Sequence, residues 1–305
     1  MKATLTDRRF SDPEWIFEPK LDGIRCLAFR DGDEVRLLSR TQRSMNDSYP
    51  ELVEALAAEP ARDFVIDGEI VAFAGGRTSF ETLQRRMQIR DADAARRTGV
   101  AVFYYVFDIL HLDGRDLTGL PVRERKAALR KALSFSGPIH FVSHRNREGE
   151  ALYKEACRKG WEGLIAKRAE APYTHGRSRD WLKFKCSAEQ ELVIGGYTAP
   201  RGSRTDLGAL LLGYYDDGKL RYAGKVGTGF TRATLHELAA QLAPLKRDGS
   251  PFADDVRERT ATWVEPELVA QVGFSEWTRD GRLRHPRFLG LRDDKAASEV
   301  VRETA

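Results

Sequence analysis

An α+β fold in two domains, residues 1–187 and 188–305, is what the sequence predicts, and three observations predict it. The chain has 305 residues, ample for two domains with a core each. Up to Cys186 strong strand-like runs alternate with helical ones. After Cys186 the texture turns to short strands accompanied by one helix. Nothing in the chain approaches the roughly 20 apolar residues needed to span a bilayer. Residues 1–10 also lack the apolar heart of a signal peptide. A cytoplasmic protein with no membrane partner is the expectation.

Taken in order, residues 1–60 read as extended segments broken by turns and closed by a short helix. Trp15 to Lys20 is extended and ends at the loop Leu21-Asp22-Gly23. Leu27–Arg30 and Val35–Leu38 flank Asp31-Gly32, a hairpin signal. The segment from Pro50 to Ala58 has helical spacing. Phe64–Phe73 and Val100–Leu110 are strands rich in β-branched and aromatic residues. Arg123–Leu133 follows Pro121 as a helix, and Glu148–Lys159 is another, stopped by Gly160. In the second domain Glu191–Tyr197 opens a new set of strands. Gly208–Tyr215 and Lys219–Val226 are joined by the turn Asp216-Asp217-Gly218. Thr231–Leu245 is an amphipathic helix, and Val264–Trp277 and Arg282–Leu291 complete the set. Short strands with one helix suit a small Greek-key barrel such as the OB-fold.

The formal charge is +4, from 50 basic and 46 acidic residues, too small an excess to demand a polyanion. Basic residues nevertheless cluster at 177–185, 201–204 and 279–295. A solvated mixed surface produces the same pattern. Cys26, Cys157 and Cys186 are far apart and form no CxxC pair, so buried, reduced thiols are expected rather than a zinc site or a disulfide.

Five segments carry chemistry. In Glu18-Pro19-Lys20-Leu21-Asp22-Gly23-Ile24-Arg25, a strand delivers Lys20 to a glycine loop where backbone can approach a phosphate. Lysine attacks only when it has lost its proton, which desolvation or nearby cations promote. Arg25 can reach a nearby anion. Alone, the segment reads equally as a surface lysine before a turn. In the strand around Asp67-Gly68-Glu69, alternation puts both acids on one face, where a ribose hydroxyl or hydrated cation would satisfy them. A solvent-facing edge strand is the alternative. Phe107 is placed for core packing or for stacking on a purine. Gly160 and Gly163 bracket Glu162, a candidate metal ligand at the entry of a strand running to Lys167. Lys183 and Lys185 share a strand face opposite Leu182, Phe184 and Cys186. They repel each other unless a phosphate lies between them, or the face is simply exposed.

In this order the segments resemble the covalent nucleotidyltransferases: ATP-dependent DNA ligases, RNA ligases and capping enzymes. The Lys-x-Asp-Gly-x-Arg signature stands at Lys20 to Arg25, and Arg40 fits the signature that follows it. Asp67-Gly68-Glu69, Val106-Phe107-Asp108, Glu162-Gly163 and Leu182-Lys183-Phe184-Lys185 come after. Arg292, Asp294 and Lys295 fit the Arg-x-Asp-Lys close of the DNA ligases. Ala3-Thr4-Leu5 and the stretch 285–295 resemble the ligase module of bacterial end-joining DNA ligases. The pair Asn-Gly that often follows the family's Ser/Thr-Arg is replaced here by Thr41-Gln42, which puts the turn bearing Arg40 in question.

The resemblance implies a nucleotidyltransferase (adenylation) domain of antiparallel sheets with helices, followed by an OB-fold. It implies ATP, with Mg²⁺ or Mn²⁺, as the cofactor set, and AMP carried covalently on Lys20. Glu18 would recognise adenine and Phe107 stack on it. Glu69 would contact ribose or support metal, and Glu162 would bind metal. Lys183 and Lys185 would hold the α-phosphate, with Arg25, Arg40 and Lys167 among the nucleotide-binding residues. Asp294 and Lys295 would orient pyrophosphate. The implied substrate is nicked duplex DNA with a 5′-phosphate and a 3′-hydroxyl, in repair or end joining. An end-binding protein of the end-joining pathway is the expected partner of a bacterial, monomeric enzyme. An RNA ligase or capping enzyme is the competing enzyme reading, and a non-catalytic OB-fold nucleic-acid binder the competing reading of another class.

Overall fold

The computed structural model describes residues 1–87, 89–186, 188–200 and 206–303. The chain divides into two compact units, Met1–Cys186 and Ser187–Glu303. Ser187, where the sequence suggests the boundary, and the basic stretch 201–204 lie outside the described residues.

The first unit holds two sheets. One is built around the strands Trp15–Lys20, Gly163–Arg168 and Arg177–Lys185, with Gly163–Arg168 in the middle and antiparallel to both neighbours. Lys2–Leu5 adds a parallel edge next to Arg177–Lys185. Alternation gives this sheet two unlike faces. Trp15, Phe17, Leu164, Ala166 and Phe184 pack with Leu152 and Ala156 of the helix Gly149–Arg158 into one core. The other face carries the charged residues.

The second sheet runs Glu34–Ser39, Ile24–Asp31, Asp63–Ala74, Val102–Leu112, all antiparallel. Asp63–Ala74 is therefore an inner strand, so the edge-strand alternative for Asp67 and Glu69 falls. Pro50–Ala57, Phe80–Met87 and Val122–Ala132 cover its apolar side, contributing Leu52, Leu83 and Leu129 to the largest core. Helices Phe80–Met87 and Ala92–Arg97 stand where the sequence reading placed none. Both are short. The first is rich in polar residues and is held by the buried Arg86, which pairs with Glu51 at 2.9 Å.

The second unit is a barrel-like sheet ordered Lys219–Val226, Leu210–Asp216, Ala188–Thr198, Val269–Phe274, Arg287–Leu291, with one helix at Arg232–Leu242. Within the expected strand 264–277 only Val269–Phe274 and Glu276–Trp277 are extended, both beyond Pro266, which has no N–H to give a ladder; Ala261–Trp263 is a separate strand just before the segment. The expected strand 282–291 is likewise split into Leu283–Arg284 and Arg287–Leu291. His285 takes a left-handed φ of 49° and Pro286 follows it.

The thiol expectation needs correcting. Cys157 and Cys186 form a disulfide although 29 residues separate them. The end of the helix Gly149–Arg158 meets the end of the strand Arg177–Lys185, a proximity set by tertiary packing that spacing in sequence does not report. Cys26 is free and buried. No helix among the described residues is long and apolar enough to cross a membrane.

Candidate active site

The charged face of the first sheet is written in rows. Lys20 pairs across Gly163 with Lys185, Glu18 across Ile165 with Lys183, and Ile16 across Lys167 with Trp181. Residues paired directly across antiparallel strands share a face. The odd-numbered side chains of Arg177–Lys185 and the even-numbered ones of Trp15–Lys20 therefore face one way. A cleft opens over this face. Glu18, Lys20, Ile165, Lys167 and Trp181 line it from the first sheet, and Arg25, Glu69 and Phe107 from the second. Lys183 and Lys185 extend the same face beyond the cleft lining and are half-buried.

Glycine makes two of the close approaches possible. At Gly23 a Cβ would collide with the carbonyl oxygen of Ile70, so the Leu21-Asp22-Gly23 loop lies directly on the strand Asp63–Ala74. At Gly163, where φ is +150°, a Cβ would strike the carbonyl oxygen of Phe184. The bare backbone also leaves the row between Lys20 and Lys185 without a side chain. Asp22 helps to hold the fold, its carboxylate accepting the Phe80 N–H at 3.2 Å, at the start of the helix Phe80–Met87.

Lys20 ends its strand with Nζ 2.6 Å from Oε1 of Glu162. Burial alone would lower the lysine's pKa, but the Glu162 carboxylate outweighs burial and holds it above the usual lysine range. In this form Lys20 is an ammonium clamped by a carboxylate, and it must lose its proton before it can attack. The Glu162 backbone is tied in turn, its carbonyl accepting the Cys186 N–H at 2.9 Å.

At the other end of the cleft Glu18 is buried between two lysines. Lys126 Nζ lies 2.5 Å from one carboxylate oxygen and Lys167 Nζ 2.7 Å from the other. Burial pushes the Glu18 pKa up, and the two ammonium groups outweigh it and hold it below the ordinary carboxylate range. Lys167 Nζ also sits 4.4 Å from the ring centre of Phe107 and 4.1 Å from that of Trp181. Sequence reasoning missed Lys126. Its signal is faint but present: Val122, Arg125, Lys126 and Leu129 form the buried stripe of one helix, so two cations occupy positions that packing alone would give to apolar residues.

Arg25 does not await a free anion. It grips Asp67 with two nitrogens, at 3.0 and 2.6 Å, donates to the Tyr173 hydroxyl at 3.1 Å and also donates to the Met1 carbonyl. Tyr173 donates to Asp67 at 2.8 Å. The buried Asp67 is thus satisfied by protein, not by ribose or metal, and only Glu69 of the two strand acids lines the cleft. Behind them Asp108 and Arg125 make a second bidentate pair, at 2.8 and 2.9 Å, fully buried.

Arg40 is outside the cleft lining, in the turn after Glu34–Ser39. That turn closes with Gln42 at a φ of 61°, so glutamine takes the left-handed position for which glycine is usual. Asp294 and Lys295 belong to the second unit and are locally engaged. Arg292 grips Asp294 with two contacts of 2.8 Å, and Lys295 pairs with Glu191 at 3.0 Å.

Comparison with known proteins matches this arrangement to one family. Residues 2–185 match the ATP dependent DNA ligase domain, and residues 203–295 the ATP dependent DNA ligase C terminal region. The chain is 38% identical over 299 residues to the multifunctional non-homologous end joining protein LigD of Pseudomonas aeruginosa, covering 95% of this chain and 35% of that protein. It is 41% identical over 297 residues to the multifunctional non-homologous end joining DNA repair protein LigD of Mycobacterium tuberculosis, covering 95% and 38%. The chain therefore spans little more than a third of the length of these curated relatives. A solved structure of mycobacterial DNA ligase D complexed with ATP and MES superposes with a TM-score of 0.66 at 36% identity, covering 99% of this chain and 98% of that one. With an adenylation domain followed by an OB-fold region, the chain belongs to the ATP-dependent DNA ligases.

Proposed function

We propose that this ligase seals 5′-phosphate/3′-hydroxyl nicks in duplex DNA through a lysine–AMP intermediate, as the ligase module of an end-joining repair system. The observation that carries the proposal is a single cleft with Lys20 paired to Glu162 at one end and Glu18, Lys167 and Phe107 at the other. In the first step the Lys20 amine attacks the α-phosphorus of ATP, forms a P–N bond and expels pyrophosphate. In the second, an oxygen of the DNA 5′-phosphate attacks the same phosphorus and Lys20 leaves. In the third, the 3′-hydroxyl attacks the 5′-phosphate and AMP departs. Phosphoryl transfer of this kind needs mainly positioning and charge neutralisation.

The residues divide the work. Glu18 and Phe107 take the base, with Lys167 beside them, and Glu69 takes the ribose. Lys183 and Lys185 neutralise the α-phosphate. Arg25 holds the Asp67 side of the cleft, and Arg40 contacts the nucleic acid. Asp294 and Lys295 orient pyrophosphate. Glu162 and Glu69 are the carboxylates that fit Mg²⁺ or Mn²⁺. Among the described residues there is no cluster of three or more potential ligands, which suits a hard cation that takes one or two carboxylates and keeps waters. Held by Glu162 and Glu69, such a cation would supply positive charge against the triphosphate. An end-binding partner of the end-joining pathway would supply further affinity for DNA.

The test is a pair of substrates and a pair of variants. A nick with a 5′-phosphate is sealed and one with a 5′-hydroxyl is not. Asp294→Ala with Lys295→Ala blocks adenylylation yet still seals a nick already carrying AMP, because pyrophosphate is present only in the first step. Lys183→Ala slows both reactions. Equal loss of both activities in the folded double variant would remove the pyrophosphate role.

A further inference from the structure

Glu18 has two lysines where charge balance needs one. Lys167 lines the cleft, whereas Lys126 stands behind Glu18, is itself buried, and touches no part of the cleft lining except Glu18, Phe107 and Val142. Burying a second ammonium next to one carboxylate is unfavourable, and packing gives no reason for it, since an apolar residue would suit that helix position. The geometry shows what Lys126 adds. Its Nζ contacts Oε1 of Glu18 at 2.5 Å and donates to the Val142 carbonyl at 2.9 Å and the Phe107 carbonyl at 3.4 Å. Lys167 holds Oε2. Each carboxylate oxygen thus has its own lysine Nζ within 2.7 Å, which sets the plane of the carboxylate and favours its ionised form. The lone pairs left over can only accept. A base that presents an amino group there gains a hydrogen bond, and one that presents a carbonyl meets repulsion between two acceptors.

We propose that Lys126 is a positioning residue for nucleotide choice: by fixing Glu18 as an oriented acceptor, it makes the cleft select a 6-amino purine over a 6-oxo purine. This rests on the reading that Glu18 faces the base. Lys126 lies behind Glu18 and acts only through it, with the Phe107 and Val142 carbonyls and the Phe141 ring, 4.6 Å from Nζ, serving as the rigid mount.

The experiment measures single-turnover labelling of the protein by α-labelled ATP and, separately, by α-labelled GTP and ITP. Native protein is compared with Lys126→Met, Lys126→Gln and Lys126→Arg between pH 5 and 8. For Lys126→Met the apparent affinity for ATP should fall about tenfold, with a smaller effect on the maximal rate, and the preference for ATP over ITP should fall by about the same factor. An acidic limb should appear, because Glu18 with one cation fewer is more easily protonated. Lys126→Arg, which keeps the charge, should remove that limb. If Lys126→Met does not fold, Lys126→Gln takes its place: with the charge gone the acidic limb should appear, and with the donor kept the preference for ATP over ITP should fall by less. Loss of rate with all three nucleotides at an unchanged preference and pH profile would make Lys126 a structural residue and overturn the proposal. Native protein that accepts ATP, GTP and ITP equally would overturn the underlying reading of Glu18, and the proposal with it.

Discussion

Lys20 must be neutral to attack phosphorus, yet its 2.6 Å contact with Glu162 favours the ammonium. With the lysine held above its usual range, the neutral fraction is small near pH 7 and grows tenfold per pH unit. Single-turnover adenylylation should therefore climb steadily from pH 6 to pH 9. Glu162→Gln removes the largest of the anions that hold the lysine up, leaving Glu69 and Asp22, so the lysine becomes more acidic than in the native protein. The variant should be slower by about a hundredfold or more, since a group that meets developing charge is lost. Its rising limb should also move to lower pH. An unshifted limb would show that Glu162 does not govern the proton on Lys20. At this scale the sequence is informative about residue types held in short motifs: Lys20, Glu18, Phe107 and Glu162 stand in segments whose order resembles the ligase family, and the resemblance, not spacing alone, suggests their roles. It is silent on partners chosen by tertiary contact. The Lys20–Glu162 pair, the Arg25–Asp67 grip and Lys126 all join residues distant in the chain; the two pairs have no local signature, and Lys126 has only the faint one of a cation in the buried stripe of its helix.

Strands of the first unit are legible because alternation of apolar and polar residues is itself the signal for a sheet with two unlike faces. Their interruptions are legible only where a breaker is read against the run, as at Pro266 and at His285-Pro286. The short polar helix Phe80–Met87 leaves little periodic trace, since Arg86 takes a buried place by pairing with Glu51. Two consequences belong to elements. Gly163→Ala forces a Cβ against the Phe184 carbonyl at a left-handed backbone position, and should cost about 2–4 kcal/mol while displacing Glu162 from Lys20. Denaturant titration reads the first effect and ATP labelling the second; a fully stable, fully active variant would contradict the close approach. The Cys157–Cys186 link closes a loop of 29 residues, worth about 3–4 kcal/mol by loop closure. Protein denatured without reductant should show one reactive thiol, Cys26, and after reduction three. Three thiols before reduction would refute the pairing.

For the molecule as a whole, the sequence suggests a second set of strands after Cys186, but strand length does not carry that signal, since Ala188–Thr198 has 11 residues, as many as Val102–Leu112 of the first unit. The chemistry of the first unit is also its acid weakness. Glu18 and Asp67 are buried carboxylates that burial pushes up, while Lys126 with Lys167 and Arg25 outweigh it and hold them down. A carboxylate whose folded pKa is lowered contributes stability that is present above its unfolded value of about 4. That contribution is lost as pH falls through the lowered folded value. The denaturation midpoint should accordingly drop below about pH 4, and Asp67→Asn should be less stable at pH 7 but flatter in its acid dependence. An equally steep acid loss in Asp67→Asn would place the sensitivity elsewhere.

The most direct measurement is the chemical identity of the adduct. Folded protein incubated with ATP and Mg²⁺ is digested and its peptides are mapped by mass spectrometry under conditions that spare P–N bonds. One adenylyl group should be found on the peptide containing Lys20, removed by mild acid and by added pyrophosphate, and absent from folded Lys20→Ala. An adenylyl group on any other residue, or labelling that survives in folded Lys20→Ala, would contradict the assignment of Lys20 as the nucleophile.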